Sequence, residues 1–191
     1  MHVILTLFKI SFDNRKIGSA PGQRVFVTLD GTDFPCNEAH PFDQSLFSYK
    51  LNAAGIRYDV AINIVTGDIV YWSGGDGAGV YNDLEIARNG VVHLLDSGER
   101  ILADKGYKDD RYFIYPSDLR GDNCVIKKIT GRHENINARL KVWGFLRNRF
   151  RHDIPTHNRM FGATIEIEQF KLKNGNRLQN ISLDNVHINI N

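Results

Sequence analysis

Residues 24–34 read RVFVTLDGTDF, a β-branched and aromatic run from Arg24 to Leu29 that meets Asp30-Gly31. Val, Phe and Thr pack well on a pleated surface, and Asp-Gly is a turn signal. The stretch therefore predicts a strand that delivers Asp30 at its carboxyl end. Downstream, Pro35 to Gln44 is a polar, proline-bearing loop. Ile56 to Val65 (IRYDVAINIV) alternates, Thr66-Gly67-Asp68 turns, and Ile69 to Trp72 resumes the strand pattern, which predicts a hairpin. Three strands thus precede any helix.

Beyond them, the glycine-rich stretch Gly74 to Gly79 predicts a loop, with Asn82 or Asp83 as the N-cap of a helix. Leu84, Val91 and Leu95 recur at helical spacing, and Ser97-Gly98 closes the element. Arg100 to Ala103 is a short apolar strand that delivers Asp104, with Lys105-Gly106-Tyr107 turning away. From Arg132 to Arg151 there is no Pro, and Ile136, Leu140, Trp143, Leu146 and Phe150 form an apolar stripe. That predicts one long helix ending near His152, ahead of Pro155. Phe161 to Leu172 is ambiguous: Glu166 and Glu168 alternate with Ile165 and Ile167 as in a strand, while a helix also fits. The order strand–strand–strand–helix–strand–helix predicts an α/β domain of ribonuclease H-like type, a mixed sheet flanked by helices. The domain is expected over residues 24–175, after a linker-like segment 1–23 and before an Asn-rich tail, 176–191, read as a hairpin or a loose end.

The chain's 191 residues suit one domain with a real core. Its 42% apolar and 24% charged composition is that of an ordinary globular protein. A net charge of +2 does not by itself argue for nucleic acid, but the charge is unevenly spread. Lys127, Lys128, Arg132, Arg139, Lys141, Arg147, Arg149 and Arg151 share one block with a single acid, Glu134. Cys36 and Cys124 form no CxxC pairing, which argues against a disulfide framework or structural zinc and favours a reducing compartment. The opening MHVILTLFKI is too short and poorly flanked for a membrane span, and it lacks the marks of a secretory signal.

Asp30 and Asp104 stand at the carboxyl ends of predicted strands. If those strands are neighbours, both carboxylates converge where open α/β sheets place their sites. A helix opening at Glu134 and laid across that edge would bring a third. Three hard oxygen ligands suit Mg²⁺ or Mn²⁺. Two such ions about 4 Å apart activate a water or a 3′-hydroxyl and stabilise the leaving oxygen in displacement at phosphorus. Taken singly, each acid also has a plain reading: Asp-Gly as a turn, Asp104 likewise, and Glu134 as compensation of a helix dipole.

The surrounding motifs carry more. Val27 to Phe34 (VTLDGTDF), the Gly74 to Asp83 segment, Leu102 to Tyr107 (LADKGY), and Arg132-His133-Glu134 with Lys141, Phe150-Arg151-His152 and His157 occur in order. Together they resemble the catalytic domain of a Harbinger-like DDE transposase, the DDE superfamily endonuclease group, over about Val25 to Gly175. The resemblance implies a ribonuclease H-like fold and a two-metal site that cleaves DNA and transfers strands. Asp30, Asp104 and Glu134 would be its catalytic and metal-binding residues, and a nuclear location would go with that activity. At 3.6-residue spacing Glu134, Asn137, Lys141 and Asn148 would share one helix face. Lys141, Arg132, Arg139, Arg147 and Arg149 are the candidate DNA-phosphate contacts, carrying affinity rather than sequence choice. Asp83 and Asn137 are candidates to support the metal ligands from behind, although an N-cap role explains Asp83 equally well. Asp33 reads as a supporting acid or as a solvated loop residue.

Other motifs are set aside. GGDGAG lacks the Gly-Lys-Ser/Thr of a P-loop, Asn137 stands where a zincin would need His, and His152 and His157 have no companion ligand. Proteins of the resembled family carry a helical DNA-binding region ahead of the first aspartate. Met1 to Gln23 shows no helix-turn-helix pattern, so a decayed copy, a partial gene product or a domain served by a separate DNA-binding protein is expected. A homo-oligomer is a further expected partner. The rival classes are a domesticated, non-catalytic DNA- or protein-binding module and a nuclease acting on RNA–DNA hybrids.

Overall fold

A computed structural model of the protein describes residues 9–178, 180–182 and 186–188. Its centre is an eleven-residue strand, β1 (Val25–Pro35), which extends straight through Asp30-Gly31. The expected turn is absent because nine consecutive residues, Val27 to Pro35, pair antiparallel with β3 (Ala53–Asn63), and that ladder outweighs local turn propensity. A two-residue strand, β2 (Phe47–Ser48), and β4 (Ile69–Gly77) both pair with β3. β4 runs on through part of the expected glycine loop. Gly74 and Gly75 take positive φ beside a register shift, and a Cβ on Gly74 would lie 2.5 Å from the Arg57 carbonyl oxygen.

On the other side of β1, β5 (Arg100–Ala103) pairs parallel, and β6 (Phe113–Ile114) pairs parallel with β5. The sheet is therefore mixed, with β1 central and antiparallel pairs on one side and parallel pairs on the other. This is the ribonuclease H-like arrangement.

Helices cover both faces. On one lies α1 (Asp83–Asn89), followed by a 3-10 turn at Val91–Leu94, over a core that includes Val27, Leu29, Ala61, Ile101 and Phe113. On the other lie α2 (Asn123–Leu140), α3 (Gly144–Arg147) and α4 (Ile154–Lys173), over Ile56, Tyr58, Val60 and Ile62. β7 (Leu119–Gly121) precedes α2 and pairs with β8 (Val186–Ile188).

Two helix expectations are corrected. α2 begins at Asn123, capped by Asp122 on the Cys124 amide, and stops at Leu140; the remaining stripe residues sit on a separate turn and a bridge strand. Leu140, Leu146 and Phe150 nevertheless all enter one core, so the apolar stripe was real although the single helix was not. Phe161–Leu172 is helical. Pro155 occupies the first turn of α4 behind an Asp153 cap, where a missing N–H costs nothing.

Of the segment read as linker, residues 1–8 lie outside the described residues. Phe12–Lys16 forms a 3-10 turn with Phe12 and Arg15 buried, Arg15 pairing with Glu99 at 2.8 Å. The tail reading falls partly on residues 179, 183–185 and 189–191, also outside the described set. Among the described residues no helix is long and apolar enough to cross a membrane.

Candidate active site

Side chains alternate along β1, so Thr28 and Asp30 face α2 while Leu29 and Gly31 face α1. Leu29 pairs with Ala103 of β5, which makes Asp30 and Asp104 the next residues on adjacent parallel strands. Asp104 is exposed at the head of its turn, and its Oδ1 accepts from the Gly106 amide at 2.7 Å.

The third acid arrives by helix docking. His133 Nε2 lies 2.8 Å from Thr28 Oγ1, whose hydroxyl is directed at the Ile62 carbonyl (3.4 Å), so Nε2 is the protonated nitrogen. Burial depresses the His133 pKa to about 4, keeping the ring neutral. Arg132, only 4% exposed, donates to the Asn63 carbonyl at 2.9 Å and also to those of Ile64 and Val65. These two residues fix α2 to the sheet and leave Glu134 exposed above it.

Asp30, Asp104 and Glu134 line one cleft of about 240 Å³, together with Thr28, Thr130 and His133. Desolvation raises the Asp30 pKa; the Lys50 ammonium draws it back, and Asp104 and Asp83 push it up further. Among the described residues, no group of three or more His, Cys, Asp or Glu side chains is drawn together tightly enough to hold a metal ion.

Behind Asp30 lies a second set of polar groups. Gly31 is not in the left-handed region; it is small because a Cβ there would stand 2.5 Å from Asp83 Oδ1 and 3.2 Å from Asp59 Oδ1. Asn82, not Asp83, caps α1: its side chain accepts from the Glu85 amide while Glu85 reaches back, leaving the Asp83 carboxylate to turn inward. It meets Lys50 Nζ at 3.0 Å and Arg57 Nε at 3.2 Å. Asp59 is fully buried; its Oδ1 accepts from Tyr107 at 3.0 Å, and its Oδ2 has no hydrogen-bond partner. Burial, then Asp83, pushes the Asp59 pKa up to about 8. Tyr107 thus ties the turn after Asp104 to the strand paired with Gly31.

The remaining expected residues are scattered. Arg132 is a correction, since its guanidinium is buried on carbonyls and does not face a ligand. Asn148 is also displaced from the expected face, lying beyond the helix break at the end of α3. Lys141 is exposed at the C-cap of α2, about 10 Å along the axis from Glu134. Asn137 is half-buried, and Arg139 donates to Asn135 Oδ1 (2.8 Å) and the Asn176 carbonyl (2.9 Å). Arg147 and Arg149 are exposed, the latter 3.5 Å from Glu38. Asp33 is not solvated: it is 4% exposed, clamped by Arg57 at 2.7 and 2.8 Å and by Ser48 at 2.6 Å.

Sequence reading missed Lys50 and Asp59, and gave Tyr107 no role beyond its place in the LADKGY motif. The lone acid within IRYDVAINIV was a usable sign of a buried carboxyl, whereas nothing marks Lys50.

A mixed sheet with one acid in the middle of its central strand, a second just past the end of the adjacent parallel strand, and a third on a docked helix, defines a domain of the DDE nuclease class. The family profile described as DDE superfamily endonuclease matches residues 29–167, and the chain belongs to that family. No curated protein and no solved structure matches it.

Proposed function

We propose that the chain is the catalytic core of a DNA endonuclease of transposase type, cutting phosphodiester bonds and joining strands with two divalent ions. The observation that carries this reading is that Asp30, Asp104 and Glu134, remote in sequence, line one cleft where β5 ends beside the middle of β1. The residues fit Mg²⁺ or Mn²⁺ in donor type, being hard carboxylate oxygens. Asp30 is moreover crowded by Asp104 and Asp83, a repulsion that a cation relieves. Asp30, Asp104 and Glu134 would hold the ions. When bound, these would supply a nucleophile at neutral pH and charge stabilisation at the leaving oxygen.

The chain's own residues set the frame. β1 holds Asp30, His133 and Arg132 hold α2, and exposed Asp104 and Glu134 have room to rotate toward the site. Lys141, Arg147 and Arg149, with Arg139 beside them, are the remaining proposed phosphate contacts; Asp83 and Asn137 are proposed supports. The substrate would be nuclear DNA, with end recognition supplied by a further DNA-binding region or partner and with self-association of the core.

A second reading, a non-catalytic DNA- or protein-binding module, is favoured by the lack, among the described residues, of a preformed three-ligand group. Plasmid nicking separates the two. The wild type is expected to nick in Mg²⁺ or Mn²⁺, and Asp104→Asn to lose activity by a factor on the order of 10³ with an unchanged melting temperature. Absence of nicking by both proteins at every concentration would support the binding module. Preferential cleavage of RNA–DNA hybrids would instead indicate a hybrid-directed nuclease.

A further inference from the structure

We infer that Lys50 is a DNA-phosphate-binding residue of the catalytic edge, held in place by Asp83 and the Gly31 carbonyl. The inference rests on reading the chain as acting on DNA. Lys50 lies in the turn between β2 and β3, and its ammonium donates to the Gly31 carbonyl at 2.7 Å and to Asp83 Oδ2 at 3.0 Å. An ammonium has three donors, so one N–H is left over. The Lys50 side chain is 43% exposed, whereas that of Asp83 is 16% exposed.

Arg57 alone does not balance the acids around Lys50. Asp33 is neutralised by Arg57, which also touches Asp83, and Asp59, with its raised pKa, carries a proton at neutral pH. The Lys50 ammonium balances Asp83 and still has a donor to spare. It stands one residue past Asp30, and of the charges acting on Asp30 its influence is the largest, ahead of Asp104 and Asp83 taken singly. Its spare N–H therefore lies beside the strand position that follows Asp30.

Three features of the sequence go to holding the ammonium there. Asn82 takes over the helix cap, Asp83 turns inward, and position 31 carries no side chain that would block it. An ordinary surface lysine has no such support and loses rotamer entropy when it grips a ligand. Lys50 is ordered beforehand, which lowers the cost of binding.

The test is duplex DNA binding to the metal-free protein, read by fluorescence anisotropy across a salt series. Lys50→Met is expected to weaken binding several-fold on every sequence tried and to reduce the slope of log K against log[salt] by about 0.9. Lys50→Arg should retain the slope. Lys50→Gln, which keeps a donor for the Gly31 carbonyl without the charge, should match Lys50→Met even if the latter melts early. Asp83→Asn should alter affinity in wild type but not on a Lys50→Gln background. An unchanged salt slope in Lys50→Gln, with wild type binding normally, removes Lys50 from the interface and leaves the DNA reading intact. Failure of the wild type to bind duplex at any salt removes both.

Discussion

Asp59 is the residue whose chemistry is most at odds with its place, a carboxyl group fully buried with one oxygen unpartnered and a second acid close by. Its folded pKa, about 8, lies above the unfolded value of about 3.9. The fold therefore favours the protonated form, and the stability it contributes is full below the unfolded pKa and drains away as pH rises through 8. Asp59→Asn keeps an acceptor for Tyr107 and places an amide N–H where the proton sat. It is expected to be more stable than wild type at pH 8, the gap growing by up to about 1.4 kcal/mol per pH unit between the two pKa values. Thermal melts of both proteins across pH measure this; a gap independent of pH would show that Asp59 is charged in the fold. Gly31 carries a related lesson. Read along the chain, Asp-Gly is a turn; in space, the missing Cβ makes room for Asp83 and Asp59, which come from distant segments.

At the scale of elements, α2 shows how one motif divides its tasks. Arg132 and His133 point into the sheet and Glu134 points out of it, so a triplet resembling a catalytic signature is two-thirds docking. Arg132→Met strands the carbonyls of Asn63 to Val65 inside the protein and is expected to cost about 2–4 kcal/mol, since each lost bond involves a charged donor. Urea denaturation reads this directly, and a change within about 0.5 kcal/mol would mean that Arg132 behaves as a surface residue.

The same helices show what was legible and what was not. The first half of β1, β3, the hairpin turn and β5 followed from alternation and turn chemistry, and Asn82 was readable as a cap, whereas the half of β1 beyond Asp30 was read as a turn. The first turns of α2 do keep an apolar spacing at Val125, Ile126 and Ile129, but β-branched residues and Gly131 weaken their helix propensity and masked the true start. α4 was hidden for a different reason. Its buried positions Phe161, Thr164, Ile165, Glu168, Gln169 and Leu172 follow a helical period, but three of them are polar. Glu168 accepts from Trp143 Nε1 at 2.9 Å and Lys171 at 2.7 Å, and Gln169 accepts from the Ile69 amide at 2.7 Å. Polar residues with buried partners resemble a solvent face when read from sequence alone.

Across the whole molecule, two helices of one layer, α2 and α4, are joined to the sheet through neutral imidazoles. His133 bonds Thr28, and His157, wholly buried, lies 2.7 Å from the Tyr58 hydroxyl; burial holds both near pKa 4. Because these values lie below the unfolded value of about 6.5, the unfolded chain takes up protons first. Their contribution is complete above pH 6.5 and shrinks as pH falls toward 4. Cooperative loss of stability is expected over that window, earlier than ordinary carboxylates would give. His133→Gln, which can still donate to Thr28, should flatten the upper part of the profile in a denaturation series; an unaltered profile would remove His133 as a cause.

The split within Arg132-His133-Glu134 also bears on how such a gene would age. Selection for a folded chain acts on the first two letters whether or not DNA is ever cut, while under the proposed function selection for cutting would act on the third. A lineage that kept the domain as a scaffold after abandoning its chemistry would erode at Glu134 and Asp104 first and preserve Arg132 and His133 long afterwards. The pattern of wear on this triplet would therefore date the loss of one trade separately from the loss of the other.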